Sequence, residues 1–193
     1  MAGVEWVWMR RLWDDGIVCV SPVALGEEVV RGKEIRSVLM TEAVPGQSLE
    51  RWMSQWHEVG PGRSREVLLG VARLVARLHD KGYVHRDLYL SHIFYDSSSR
   101  GDEALRLIDL QRIIRPRWRL RRWIVKDLAS LNYSAPAECF SLADRLRWLL
   151  VYLGTGKLDA AARRLVYRVV GKSVWIARKE LRRTERKGIG YRV

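Results

Sequence analysis

Two carboxylates in this chain have the surroundings and spacing for chemistry. Asp87 lies in the stretch Tyr83-Val84-His85-Arg86-Asp87-Leu88-Tyr89-Leu90-Ser91-His92, and Asp109 closes the apolar run Leu105-Arg106-Leu107-Ile108, 22 residues further on. Transfer of a phosphoryl group asks little covalent chemistry of a protein. It needs one carboxylate to orient the attacking hydroxyl and take its proton, and another to hold the metal carried on the phosphates. Taken singly, each Asp is equally an ordinary solvated residue at a loop or strand end. Their order along the chain is what favours the pair.

The elements that would position them follow from periodicity. Apolar residues Val67, Leu68, Val71, Leu74, Val75 and Leu78 recur on one face over 65–80 and predict an amphipathic helix that leads straight into His85. Short β-like runs at 92–96 and 104–109, joined by Ser97-Ser98-Ser99-Arg100-Gly101, predict a hairpin with Asp87 before it and Asp109 at its far end. Upstream, Val4, Trp6, Trp8, Met9 and Trp13 fit a helix over 4–14 that Gly16 stops. Runs 17–25 and 35–44 read as strands around a polar connector with a turn signal at Gly32, and Ser48 is an N-cap without a capping box. From 119 onward the pattern is helical, over about 119–133, 141–153, 159–171 and 173–186, punctuated by Pro116 and Pro136.

Composition bounds the alternatives. With 193 residues, 48% of them hydrophobic, 30% charged and nine Trp, the chain has enough apolar material for one packed domain and is unlike a disordered segment. Its net charge of +13 predicts attraction to polyanions: nucleic acid, anionic headgroups or a phosphorylated substrate. Cys19 and Cys139 lack metal-ligand spacing and read as buried thiols of a reducing compartment. Neither a secretory leader nor ~18 uninterrupted apolar residues is present, so the expectation is a cytoplasmic protein with peripheral contact to the inner membrane left open.

The triplet His85-Arg86-Asp87 resembles a kinase catalytic loop, but His92 stands where that loop carries Asn. The fuller pattern His85-Arg86-Asp87-x-Tyr89-x-x-His92 resembles the lipopolysaccharide kinase family (the Kdo/WaaP and InaA-like group). So do the stretches Val4–Ile17, Ser37–Trp52, Leu105–Ile113 and Arg122–Ala135, the last reading R-W-x-x-K-D-L-A-x-L-x-x-S. The resemblance covers about residues 4–153 and implies an α+β, protein-kinase-like fold: a partial N-lobe and hinge over 1–44, made of one helix and two strands, and a mostly helical C-lobe over 45–193. It implies ATP and Mg2+ as cofactors, Asp87 as catalytic residue within His85-Arg86-Asp87, and Asp109 as the magnesium-holding residue. Asp127 would anchor the catalytic loop from beneath. Glu5 would be the helix carboxylate that pairs with a phosphate-binding Lys, and Thr41, Glu42, Ala43 and Val44 the hinge that meets adenine.

His92 would sit at the second metal-proximal position. Imidazole is a poor direct ligand for Mg2+, so it would bond a phosphate or a metal-bound water, the alternative being a packed His on the strand. The family's Gly-rich loop and Lys-bearing strand do not precede Glu5 in these 193 residues, so the resemblance implies an N-terminally truncated member, with Glu5 lacking its Lys.

Arg112, Arg115, Arg117 and Arg119 follow Asp109 closely and would dock an anionic lipopolysaccharide or lipid-linked sugar. The plainer alternative is a solvated helix face with Trp118 and Trp123 in the core. Three functions stand beside each other at this point: phosphorylation of a sugar hydroxyl of lipopolysaccharide core; a kinase-shaped binding module without activity; and a small-molecule kinase of the aminoglycoside or choline type. Nucleic-acid binding, suggested by charge and Trp content, is disfavoured by the carboxylate pair.

Overall fold

The computed structural model describes residues 2–189, the side chains of His57, Asp102 and residues 186–189 excepted. Helix α1 (Ala2–Asp14) opens the chain and buries Met9 and Leu12. A two-stranded antiparallel ribbon follows, β1 (Pro22–Val30) with β2 (Lys33–Thr41). Its turn is Arg31-Gly32, both at positive φ (51° and 76°), the geometry of a two-residue hairpin whose twist matches that of its strands. Strand β3 (Gln47–Ser48), helix α2 (Leu49–Met53) and helix α3 (Pro61–Asp80) lead to the hairpin of β4 (Ile93–Tyr95) and β5 (Leu105–Leu107). The strand order of that sheet is β3-β4-β5. Three helices complete the chain: α4 (Leu120–Ser134), α5 (Leu142–Leu153) and α6 (Ala160–Ile189). The result is the α+β arrangement expected, with a small partial N-lobe of helix and ribbon on a mainly helical body.

The core is one cluster. It joins Met9, Leu12, Ile17 and Cys19 of the first segment to Val67, Val71, Leu74, Val75 and Leu78 of α3, and to Leu88, Ile93, Leu107 and Leu110 around the hairpin. The α3 stripe is buried as its spacing predicts, each such side chain contributing roughly 1.5–3 kcal/mol. The cap on α2 is Ser48, which accepts from the Arg51 N–H without a capping box. Both cysteines are buried free thiols. The loop from β2 into β3 passes so close to β4 that a Cβ on Gly46 (φ +82°) would lie 2.1 Å from the Tyr95 carbonyl oxygen, which only glycine permits.

Two expected boundaries move. The first strand begins at Pro22 rather than 17, because Cys19 forms a parallel bridge with Leu107 and Val20 N–H bonds the Leu107 carbonyl, tying this stretch to β5. The ribbon instead runs on through the polar connector to Val30. It stands off the core, with Ile35, Val38 and Met40 more than half exposed, so Glu27 and Glu28 cost nothing there. The break expected near 171–173 is absent: α6 is continuous. A glycine inside a helix costs about 1 kcal/mol. That is outweighed where Ser173 Oγ donates to the Ala129 carbonyl at 3.0 Å, next to buried Ile176, and locks α6 onto α4.

Candidate active site

Helix α3 ends at Asp80, and the chain passes through buried Tyr83 and Val84 into the loop that carries Asp87. Two backbone groups of this loop are taken by one side chain. Asp127, fully buried on α4, accepts the His85 N–H at 2.6 Å on Oδ2 and the Arg86 N–H at 2.8 Å on Oδ1. Arg86 is at φ +73°, a conformation costing of order 1–3 kcal/mol for a residue with a Cβ, and the Asp127 carboxylate offsets that cost. The ring of His79 also faces Asp127 Oδ2, at 3.4 Å.

The structure turns the other two members of the triplet away from the reacting side. His85 is fully buried; its Nε2–H donates to the Ile108 carbonyl at 3.0 Å, which fastens the loop to the segment before Asp109. Its Nδ1 has no hydrogen-bond partner, and burial holds its pKa below the usual imidazole value. The Arg86 guanidinium lies over the Trp123 ring, 5.2 Å from its centroid, while its carbonyl accepts from Lys126 Nζ. Both are therefore scaffolding by geometry.

Asp87 reaches the surface, its side chain 18% exposed, between two cations. Its Oδ2 pairs with Arg112 at 2.5 Å and its Oδ1 faces Lys126 Nζ at 3.6 Å. Lys126 has its pKa lowered, burial being the main cause and Asp87 the largest opposing influence. The sequence counted Lys126 only as the last cation of the basic run that follows Asp109, with no role at Asp87. The available signal was its place next to the anchoring Asp127, which aims it at the same loop.

His92 lies between the backbone of Asp87 and the carboxylate of Asp109. Nδ1–H donates to the Asp87 carbonyl at 2.8 Å, and Nε2 faces Asp109 Oδ2 at 3.6 Å, with the ring stacked on His85 at 5.9 Å. With Nδ1 committed as donor, Nε2 presents a lone pair when the ring is neutral and a proton when it is charged. Asp109 follows β5 in the left-handed region (φ 57°, ψ 60°), and its Oδ1 accepts from Gln111 Nε2 at 2.8 Å. The next N–H, of Leu110, donates to Glu5 Oε1 at 3.1 Å, so α1 also touches the site.

A magnesium ion that arrives on nucleotide phosphates needs one or two carboxylates from the protein, and Asp109, partly exposed beside His92, is a carboxylate that could serve. No group of three or more His, Cys, Asp or Glu able to hold a metal alone exists among the described residues. The donor set thus fits a phosphate-borne ion rather than a resident one.

Of the four arginines expected at the substrate, Arg112 is drawn onto Asp87. Arg115 lies over the Tyr83 ring at 5.5 Å, and Arg117 and Arg119 are exposed, Arg119 at φ +59° just before α4. Trp118 is 81% exposed, against the alternative that put it in the core, and Trp123 is partly buried under Arg86. In the hinge segment Thr41 ends β2, the Glu42 N–H bonds the Ser21 carbonyl at 3.0 Å, Ala43 is exposed and Val44 packs on the core.

Comparison with known proteins gives concordant matches. The model of the lipopolysaccharide kinase (Kdo/WaaP) family matches residues 2–152. Lipopolysaccharide core heptose(I) kinase WaaP of Pseudomonas aeruginosa is 32% identical over 189 residues, covering 95% of this chain and 69% of that protein. The protein of the same name from Escherichia coli K12 is 31% identical over 156 residues, covering 78% of this chain and 59% of its own length. Among solved structures, WaaP in complex with acyl carrier protein aligns over 92% of this chain and 74% of that one, with a TM-score of 0.72 and 29% identity.

Proposed function

The chain belongs to the lipopolysaccharide kinase (Kdo/WaaP) family, and from that premise we propose that it takes part in ATP-dependent phosphorylation of a sugar hydroxyl on lipopolysaccharide core. The observation that carries the reading is the His92 bridge, with Nδ1 on the Asp87 carbonyl at 2.8 Å and Nε2 on Asp109 at 3.6 Å. It ties the loop that carries Asp87 to Asp109, which supports reading the two carboxylates as one site. In this reading Asp87 orients the acceptor hydroxyl and receives its proton. Asp109 holds Mg2+ against the nucleotide phosphates, and Mg2+ supplies neutralisation of charge on the transferred group. Lys126, fixed on the Arg86 carbonyl, keeps a positive charge beside the transfer path. Arg112, the more exposed of the two cations, leaves Asp87 when an anionic acceptor draws it out. Glu5, Thr41, Glu42, Ala43 and Val44 would face the nucleotide, and Arg115, Arg117 and Arg119 the acceptor. The setting is the cytoplasmic surface of the inner membrane.

Magnesium-dependent transfer of labelled phosphate from ATP to lipopolysaccharide that lacks core phosphate tests this. Transfer lost in Asp87→Asn and Asp109→Ala supports it, and nucleotide binding without transfer to any acceptor identifies a binding module.

A second reading concerns a partner. One structural neighbour is WaaP in complex with acyl carrier protein, and this chain has an apolar cavity of about 410 Å3 between α3, α5 and α6, lined by Val67, Leu146 and Val169 among others. An acyl chain is the kind of group such a cavity takes. Co-purification with acyl carrier protein, lost on Leu146→Asp, is its test.

A further inference from the structure

Helix α6 is built with two working faces. At 100° per residue, Ala162, Leu165, Val169, Ser173 and Ile176 fall on one side, and these are the residues that pack inward against α4. Tyr167, Val174 and Leu181 gather on another side, with Arg163, Arg178 and Glu185 among them, and are 83%, 44% and 63% exposed; Val170 beside them, 49% exposed, also lines the apolar cavity. Packing on α4 and lining the cavity shared with α3 and α5 give no use to Tyr167, Val174 and Leu181 as exposed apolar residues.

Between the two faces runs a basic row: Arg164, Arg168, Lys172, Trp175, Lys179 and Arg182, at steps of three or four residues. Trp175 is 52% exposed, with Lys172 Nζ 3.5 Å and Lys179 Nζ 5.5 Å from its ring centroid. Lys172 also feels the charge of Arg122 on α4, so the row continues toward the start of α4, just after exposed Trp118. Acidic residues are few here: Glu180 lies toward the inner side and pairs with Arg183 at 3.8 Å, and Glu185 is exposed.

We infer that the outward face of α6 lies on an anionic lipid surface, with its apolar band in the headgroup boundary and its basic row on the phosphates. An interfacial helix needs this combination, with aromatic residues at the edge. No helix among the described residues is long and apolar enough to cross a membrane, so α6 would lie along the surface rather than through it. A second copy of the chain is disfavoured as the occupant, because each copy carries +13. Nucleic acid fits less well: the Trp175 ring already carries Lys172 Nζ at 3.5 Å, and exposed Val174 and Leu181 gain nothing from a phosphate backbone. The inference deepens the proposed function by placing a membrane-borne acceptor, but its test uses no catalysis, so an inactive chain leaves it standing.

The experiment is flotation of the full chain with phosphatidylethanolamine vesicles containing phosphatidylglycerol, beside vesicles of phosphatidylcholine alone. Binding is expected only to the anionic vesicles. Joint Arg164→Glu, Arg168→Glu and Lys179→Glu should weaken it about a hundredfold, each basic group near the surface being worth about tenfold or less. Trp175→Ala should leave binding at low salt and reduce what survives at high salt. Arg31→Glu, Lys33→Glu and Arg36→Glu together change the charge equally on the β1–β2 ribbon, away from α6, and should lose little. Equal loss in that control, absence of flotation by the unaltered chain, or an α6 triple variant that loses only affinity for duplex DNA would overturn the inference. Should the triple variant fail to fold, the comparison of Trp175→Ala with the unaltered chain at high salt decides.

Discussion

Asp127 holds Arg86 in a left-handed conformation by accepting its N–H at 2.8 Å, while the other oxygen of the same carboxylate holds the His85 N–H at 2.6 Å. Two buried donors therefore depend on one side chain. Asp127→Ala should cost about 2–5 kcal/mol, since both N–H groups are left without an acceptor and the strain at Arg86 loses its offset. Urea denaturation of the two proteins measures this; a loss below about 0.5 kcal/mol would mean that the loop is held by something else.

His92 makes two contacts that different replacements separate. His92→Asn can keep a bond to the Asp87 carbonyl from its amide and present an oxygen donor near Asp109, whereas His92→Ala keeps neither. The expected order in phosphotransfer is wild type and Asn within about tenfold, with Ala lower by roughly 10–100-fold. Steady-state rates at saturating ATP check it, and equal rates in Ala and wild type would remove His92 from the site.

Lys126 and Arg112 both face Asp87, but only Lys126 is also fixed to the loop backbone. Lys126→Met should lower kcat by about 10²-fold or more with little change in the KM for the acceptor, as expected for a group acting on developing charge. Arg112→Ala should chiefly raise the acceptor KM. A reversed pattern would exchange their roles.

The pH response of stability should carry the mark of His85. Its folded pKa lies below the usual imidazole value because of burial, so below about pH 6.5 the unfolded chain binds a proton that the folded one refuses. Stability rises with pH wherever the unfolded state holds more protons. The contribution is therefore complete above about pH 6.5 and is lost on acidification, at up to about 1.4 kcal/mol per pH unit. Thermal unfolding between pH 7.5 and 5 should show a shallower decline in His85→Gln than in the unaltered chain; parallel slopes would place the titrating group elsewhere.

Gly46→Ala puts a methyl group 2.1 Å from the Tyr95 carbonyl oxygen at a φ of +82°. Both the clash and the backbone strain act in one direction, and a loss of more than about 2 kcal/mol is expected from urea denaturation.

The frame of this fold was legible where the sequence repeats a simple signal. The α3 stripe, the β4–β5 hairpin and the Ser48 cap rest on spacing and local chemistry, which act before any long-range contact forms. What was missed depends on such contacts. The first strand starts late because Cys19 bridges Leu107, and α6 passes through Gly171 because Ser173 bonds Ala129; neither partner can be read from neighbouring letters. In the site, the letters marked both carboxylates and His92 but treated His85-Arg86-Asp87 as a unit. Left-handed geometry at Arg86 sends three successive side chains in different directions: His85 into the core, Arg86 over Trp123 and Asp87 toward Arg112 and Lys126. Lys126 was counted only within the basic run for a related reason: in a chain with 35 Lys and Arg, one cation is not singled out until its neighbours are known.

Helix α4 bears Asp127 against the loop and presents Ala129 and Asn132 to Ser173 of α6. Two tasks thus share one rod. A lesion that peels α6 away would register as a fault in catalysis, though none of its atoms comes near a reacting group, because the rod that fixes the base would lose its backing. Lesions in α6 therefore need a stability measurement beside every rate before any of its residues is assigned to chemistry.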